Sequence, residues 1–247
     1  MKFYLYFISL LAISLLLIQC KTTKIETESK MTILIDSEDN GPEMTINFIN
    51  GIGYNRPTYV LWMEDLEGHY IKTLFITKSY ASGIFGYEMQ GDSIWIKKSG
   101  PSYQPAALPY WSHKKGETNG QLIPSPEQPF VDAYTGATPE QNFEIKTSSM
   151  NLDKKYRIFL EVNQSWDWNS FWTNNKYPEN KAYQHSAQPS IVYAVEINSA
   201  SESFFLNPIG HGDAKGESGK LFTNLNTLTS ALKIFNSIEV RINSQNN

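Results

Sequence analysis

Cysteine is almost missing from this chain. One, Cys20, stands among 247 residues. A single thiol forms no internal disulfide and builds no cysteine metal site. Histidine is scarce as well, with four: His69, His113, His185 and His211. None belongs to H-E-x-x-H or another tight ligand spacing, so no metal site is expected. The G-x-S-x-G elbow of a serine hydrolase is absent, along with the strand-to-helix context it needs. "GIGYN", from Gly51 to Asn55, has two glycines but no following helix, so it is not a dinucleotide fingerprint. The formal charge is −4, and a nucleic-acid partner would want a basic stripe. No internal repeat and no heptad run is present. No catalytic residue emerges, and the chain is not read as an enzyme.

What is present begins at the N-terminus. "MKFYLYFISLLAISLLLIQC" places one lysine before an apolar run from Phe3 to Ile18, which reads as an export signal. Cys20 stands where a bacterial lipoprotein leader would be cut, although Gln19 is larger than the residue usual before such a cysteine. The competing reading is a retained anchor or an ordinary secretory leader. Lipid attachment at Cys20 would hold the chain to a membrane through buried acyl CH₂ groups. The expected organisation is a leader over 1–19, a polar tether over 20–30, and one β domain over 31–243. The expected location is extracytoplasmic, on the periplasmic or outer-membrane face.

The remainder is aromatic-rich, at 13 %. Tyr and Trp favour strands and half-buried faces. "MTILID" and "EMTINFING" show period-2 patches across a "GPE" turn and predict an opening hairpin. "PTYVLWMEDLEGHYIKTLFITKS" predicts a second hairpin, turning over Asp65 to Gly68. Both faces of that hairpin are apolar, which suggests a central place under cover. From Ser79 to Pro129 the pattern weakens to one short strand, Ser93 to Lys97, inside a long excursion. Pro101, Pro105 and Pro109 oppose a long regular element there. Such an irregular stretch is often functional. "NFEIKTSSM", "KKYRIFLEVNQSWDW" and "SIVYAVEINSA" predict strands. Glycines from Gly210 to Gly219 mark a loop. Leu225, Leu228, Ala231, Leu232 and Phe235 suggest one short helical face, before a last strand with Ile238, Val240 and Ile242. The fold class is all-β, a sandwich or barrel with a long loop insertion and one short C-terminal helix.

Two stretches carry candidate chemistry. In "SWDWNSFWTNNKYPENKAY", Trp166, Trp168, Phe171 and Trp172 follow a strand end. If strand geometry persists, Trp166 and Trp168 share a face. These aromatics either seal the end of the sheets or stack on a ligand, and Trp111 in the excursion can reach the same end. His211 and Asp213, in "HGD", put an imidazole near a carboxylate and join the candidate ligand surface. The acids around Asp65 suit a glycosidase only across a cleft, and in a hairpin they read as turn residues. The second stretch is "VDAYTGATPEQNFEI". As structure, Asp132 caps a turn, Gly136 takes a positive φ, and Phe143 and Ile145 open the next strand. As chemistry, Thr138 offers a hydroxyl able to form a phosphoester.

Asp132, Thr135, Gly136, Ala137 and Thr138 resemble the signal of extracytoplasmic proteins flavinylated by the FAD:protein FMN transferase. That signal reads Asp, two variable residues, Ser or Thr, Gly, Ala, then Thr or Ser. The resemblance implies FMN on Thr138 as a possible cofactor. A broader likeness covers "PTYVLWMEDLEGHYIKTLFITK", "ALPYW", "VDAYTGATP", "KYRIFLEVNQSWDWN", "QPSIVYAVEI" and "GHGDAKGESGKL". These blocks resemble domain-of-unknown-function family 2271, predicted periplasmic proteins. The resemblance implies an immunoglobulin-like β-sandwich, related to the sandwich domain of flagellar hook-capping proteins, where the similar phrase is a strand-edge turn without flavin. It also implies an association with flavin transferases and membrane redox proteins, and it supplies no catalytic residues. Three readings follow: an envelope-anchored accessory or binding lipoprotein, a redox carrier with FMN on Thr138, and a carbohydrate-binding or hydrolytic protein using the aromatic end.

Overall fold

A computed structural model describes residues 30–36, 39, 41–90, 94–131, 133–150, 155–198 and 203–243. The leader, Cys20 and nearly all of the tether lie outside these residues, and so does Asp132. The chain opens with β1 (Met31–Leu34), β2 (Glu43–Asn50), β3 (Thr58–Glu64) and β4 (Tyr70–Thr77). The excursion holds α1 (Lys78–Ser82), β5 (Ile84–Phe85), β6 (Glu88–Gln90), β7 (Ile94–Ile96), β8 (Gly100–Pro101) and α2 (Pro109–Lys115). Next come β9 (Tyr134–Gly136), β10 (Phe143–Ser148), β11 (Tyr156–Asn163), α3 (Lys181–Ser186) and β12 (Ile191–Ile197). The last elements are β13 (Ser203–Phe205), β14 (Asn207–His211), a 3-10 helix Ala231–Lys233 and β15 (Phe235–Ile242). Among the described residues, no helix is long and apolar enough to cross a membrane.

This is a mostly β fold with two multi-stranded sheets. Five strands run in the order β1-β10-β2-β15-β13, and six run β14-β12-β11-β3-β4-β9. The sheets face each other across one apolar core. Alternation sends Met44, Ile46 and Phe48 from β2 and Ile238, Val240 and Ile242 from β15 into it. Tyr59, Leu61 and Met63 from β3 meet them, with Ile158, Leu160 and Val162 from β11. Phe48 and Phe143 stack at 4.4 Å between centroids, with their planes 6° apart.

The six-stranded sheet is covered on its other face too. Val60, Trp62, Ile76, Phe159 and Val192 point away from the first core. The excursion folds down over them with Tyr80, Leu108, Trp111, Ile123 and Phe130. That is why both faces of the β3–β4 hairpin are apolar. Fully burying an aromatic of this size removes roughly 150–250 Å² from water, a gross stabilisation of about 4–6 kcal/mol before ordering costs. The excursion is therefore a third layer rather than a loose insertion.

Several expectations need correction. The opening segments do not form a hairpin, because β10 lies between β1 and β2, parallel to the first and antiparallel to the second. The β3–β4 hairpin forms as expected, with Gly68 at φ +88° closing its turn. Ahead of the glycine loop stand two strands that were not expected, β13 and β14, and β14 takes in Gly210 and His211 at the loop's head. The C-terminal helical face shrinks to the three-residue 3-10 helix, and Phe235 already belongs to β15. Three short α-helices stand where irregular chain was expected. Pro109, expected to oppose regular structure, starts α2, where its missing N–H costs nothing.

Candidate functional site

Strand β11 stops at Asn163, whose side chain donates to the Gln188 carbonyl at 3.0 Å. The chain then turns sharply, and Trp166 takes φ +59°. Trp166 and Trp168 accordingly do not share a strand face. Trp166 lies half-exposed, edge-on to Tyr87 and to His185, each at 5.3 Å. Trp168 turns inward against the main core and Tyr183.

Asn169 fixes the next turn. Its Oδ1 accepts from the backbone N–H of Phe171 at 2.9 Å and of Trp172 at 2.7 Å. Its Nδ2 donates to the Thr227 carbonyl at 2.8 Å and to Gln188 Oε1 at 3.0 Å. One amide thus ties the aromatic loop to the segment ahead of β15. Trp172 is buried and donates its indole N–H to Thr227 Oγ1 at 3.2 Å. Phe171 remains 47 % exposed.

The glycine loop supplies the opposite wall. Gly216 takes φ +71° and lies against the Pro105–Ala106 backbone, and Gly219 lies against the His113 ring. A Cβ at either place would collide, so the glycines let the loop press onto the excursion. Asp213 holds the loop's shape, accepting from Lys215 N–H at 3.0 Å and Ser218 Oγ at 2.7 Å. His211 is buried and stacks on Phe222 at 5.3 Å, with planes 13° apart. Its Nδ1 lies 2.8 Å from the Gly212 carbonyl, which only accepts, so Nδ1 carries the proton. Burial lowers its pKa, opposed by the Gly212 bond and the charge of Asp213. The ring is neutral, and Nε2 is left as an acceptor.

These loops enclose an open pocket of about 530 Å³, within the range of small-molecule sites. Phe171, Trp172, His211 and Asp213, named from sequence, all line it. Tyr177, Lys220 and Phe222 complete it and were not foreseen. Lys176 sits over Phe171 at 3.4 Å from the ring centroid and over Trp172 at 4.8 Å. Lys220 sits over Phe222 at 5.1 Å. Such cation–π contacts keep ammonium groups beside the aromatic walls.

Trp111 does not belong to this surface. It is fully buried in the excursion core, and its indole N–H donates to Thr73 Oγ1 at 2.9 Å. The apolar outer face of β3 and β11 needs a cover, and Trp111 supplies part of it. Below it Glu161, also fully buried, accepts from the N–H groups of Tyr110 at 3.2 Å and Trp111 at 2.7 Å, and from Ser190 Oγ at 2.5 Å. Burial raises the Glu161 pKa to about 7, against the pull of those bonds. The carboxylate caps the first turn of α2 and faces no solvent.

The described part of the "DAYTGAT" stretch, residues 133–138, is an edge rather than a bend. Thr135 and Gly136 lie in β9, which pairs parallel to β4 with Ile76 opposite Thr135. Gly136 does not take a positive φ. A Cβ there would come 3.0 Å from the Phe75 ring, a tight approach that the ring would have to ease. Ala137 is exposed, and Thr138 is half-buried with its hydroxyl donating to the Pro57 carbonyl at 3.0 Å. Neither Thr135 nor Thr138 lines the aromatic pocket. Among the described residues no group of three or more His, Cys, Asp or Glu side chains is placed to hold a metal. Comparison with known proteins finds no matching family model, no matching relative and no matching solved structure.

Proposed function

We propose that this protein is a non-enzymatic binding module, lipid-anchored through Cys20 outside the cytoplasm, that takes a small ligand in the Phe171–Phe222 pocket. The observation that carries this reading is the convergence of two distant loops on one aromatic cavity of about 530 Å³. The cavity's histidine has its Nδ1 held by a backbone carbonyl rather than by a carboxylate, and the Asp213 carboxylate accepts from its own loop. That leaves recognition groups but no positioned acid–base pair or nucleophile. The two sheets sharing one core support an immunoglobulin-like sandwich as the scaffold. The resemblance to family 2271 supports an accessory role in an envelope system, a flavin-linked one included.

Two measurements test it. Wild-type chain should separate with the membrane fraction and Cys20→Ala with the soluble fraction; equal partition of both refutes the anchor. A fragment screen by crystal soaking should place ligands between Phe171 and Tyr177. Fragments bound elsewhere, or none bound there, refute the pocket.

A further inference from the structure

We propose that the pocket selects a ring-bearing organic acid, a carboxylate or phosphate carried on a body of about monosaccharide size. This rests on the pocket reading and adds the charge and shape of the ligand.

The charge follows from which groups are already occupied. Asp213 is the lining carboxylate, and both its oxygens accept bonds from its own loop. Lys215 is paired with Glu217 at 2.5 Å. Lys176 and Lys220 have no carboxylate partner among the described residues. Lys176 donates to the Phe171 carbonyl at 3.3 Å and lies over the Phe171 and Trp172 rings, and Lys220 lies over the Phe222 ring. Lys220 lines the cavity and Lys176 stands over two of its aromatic walls; with Lys215 paired to Glu217, these two cations face the single Asp213 carboxylate. An anion seated between the Phe171–Trp172 wall and the Phe222 wall would be attracted by both ammonium groups.

The shape follows from the walls. Phe171, Trp172, Tyr177 and Phe222 reward a body with an apolar face and give a bare inorganic ion nothing. His211 leaves Nε2 as an acceptor, and Thr223 and Asn224 add polar side chains to the lining. These suit hydroxyl groups on the body of the ligand. The cavity is large enough for one ring and its substituents.

The test uses the full chain in detergent with matched probes: galacturonate against galactose, glucose 6-phosphate against glucose, and inorganic phosphate alone. Binding is read by ligand-observed NMR and tryptophan fluorescence. At least one acid should bind roughly fivefold more tightly than its neutral twin, and the gap should shrink in high salt. The pair showing it separates carboxylate from phosphate recognition. A Lys176→Met, Lys220→Met double variant should erase the gap while Tyr177→Ala weakens both members of a pair. Acids no better than their neutral twins would overturn the inference and leave the pocket reading intact. So would inorganic phosphate binding as well as the sugar phosphate, a gap surviving in the double variant, or no binding of any probe. The pocket reading itself falls only by the crystal soak.

Discussion

The Glu161 carboxylate accepts the backbone N–H of Trp111 at 2.7 Å, beneath a layer that leaves it no solvent. One buried acid on β11 therefore anchors the excursion to the sheet. Its pKa lies near 7 in the fold against an ordinary 4.5. The folded chain holds this proton more tightly than the unfolded chain does. The contribution to stability is fully present below about pH 4.5 and is lost as the pH rises through 7. The gap corresponds to about 3 kcal/mol. Urea midpoints at pH 5 and pH 8 should show this loss in the wild type. Glu161→Gln should flatten the difference, and an unchanged pH slope in that variant would refute the assignment.

Trp111 and Trp166 should differ sharply in what their truncation costs. Trp111→Ala empties a closed core and should cost about 3–5 kcal/mol. Trp166→Ala removes a half-exposed ring and should cost well under that, about 0.5 kcal/mol. Chemical denaturation of both variants checks this, and equal losses would mean Trp111 is not a core residue.

Gly216→Ala should destabilise the chain by about 2–3 kcal/mol, since it adds a Cβ at positive φ against the Pro105–Ala106 backbone. The same variant should push the glycine loop outward and weaken any ligand of the aromatic pocket. A melting temperature within error of the wild type would show that the loop does not bear on the excursion.

Thr138 should remain unmodified. Its hydroxyl is committed to the Pro57 carbonyl, and the preceding residues are paired to β4. Flavin transfer would need that edge to detach. Intact mass and in-gel fluorescence after co-expression with an FMN transferase should show no adduct, with a known substrate as the working control. An FMN mass that disappears in Thr138→Ala would establish the carrier reading instead.

The β3–β4 hairpin was legible because its signals are local: two alternating arms, and a glycine at the one place requiring positive φ. The five-stranded sheet was not, because alternation says which residues share a face and nothing about which strand lies alongside. The short helices were hidden for a different reason. Segments such as Pro109–Lys115 are too short to be stable alone and exist because Glu161 and the apolar sheet face hold them. Their signal lay elsewhere, in the outward-facing Val60 and Trp62 that demanded a cover. At the pocket, Phe171, Trp172, His211 and Asp213 stood out as aromatic or ionisable residues beside turn signals. Tyr177 and Phe222 did not, since only tertiary approach brings them together.

No two neighbours in the five-stranded sheet are consecutive strands of the chain. Strand β2 pairs with β10 on one side and β15 on the other, so the sheet can begin once Ser148 is made but cannot be completed until β15 has emerged. The six-stranded sheet can start early from its hairpin, and its inner face must then wait uncovered. Assembly therefore finishes late, and a chain truncated ahead of Phe235 leaves one edge of β2 unpaired and part of the apolar core open to self-association.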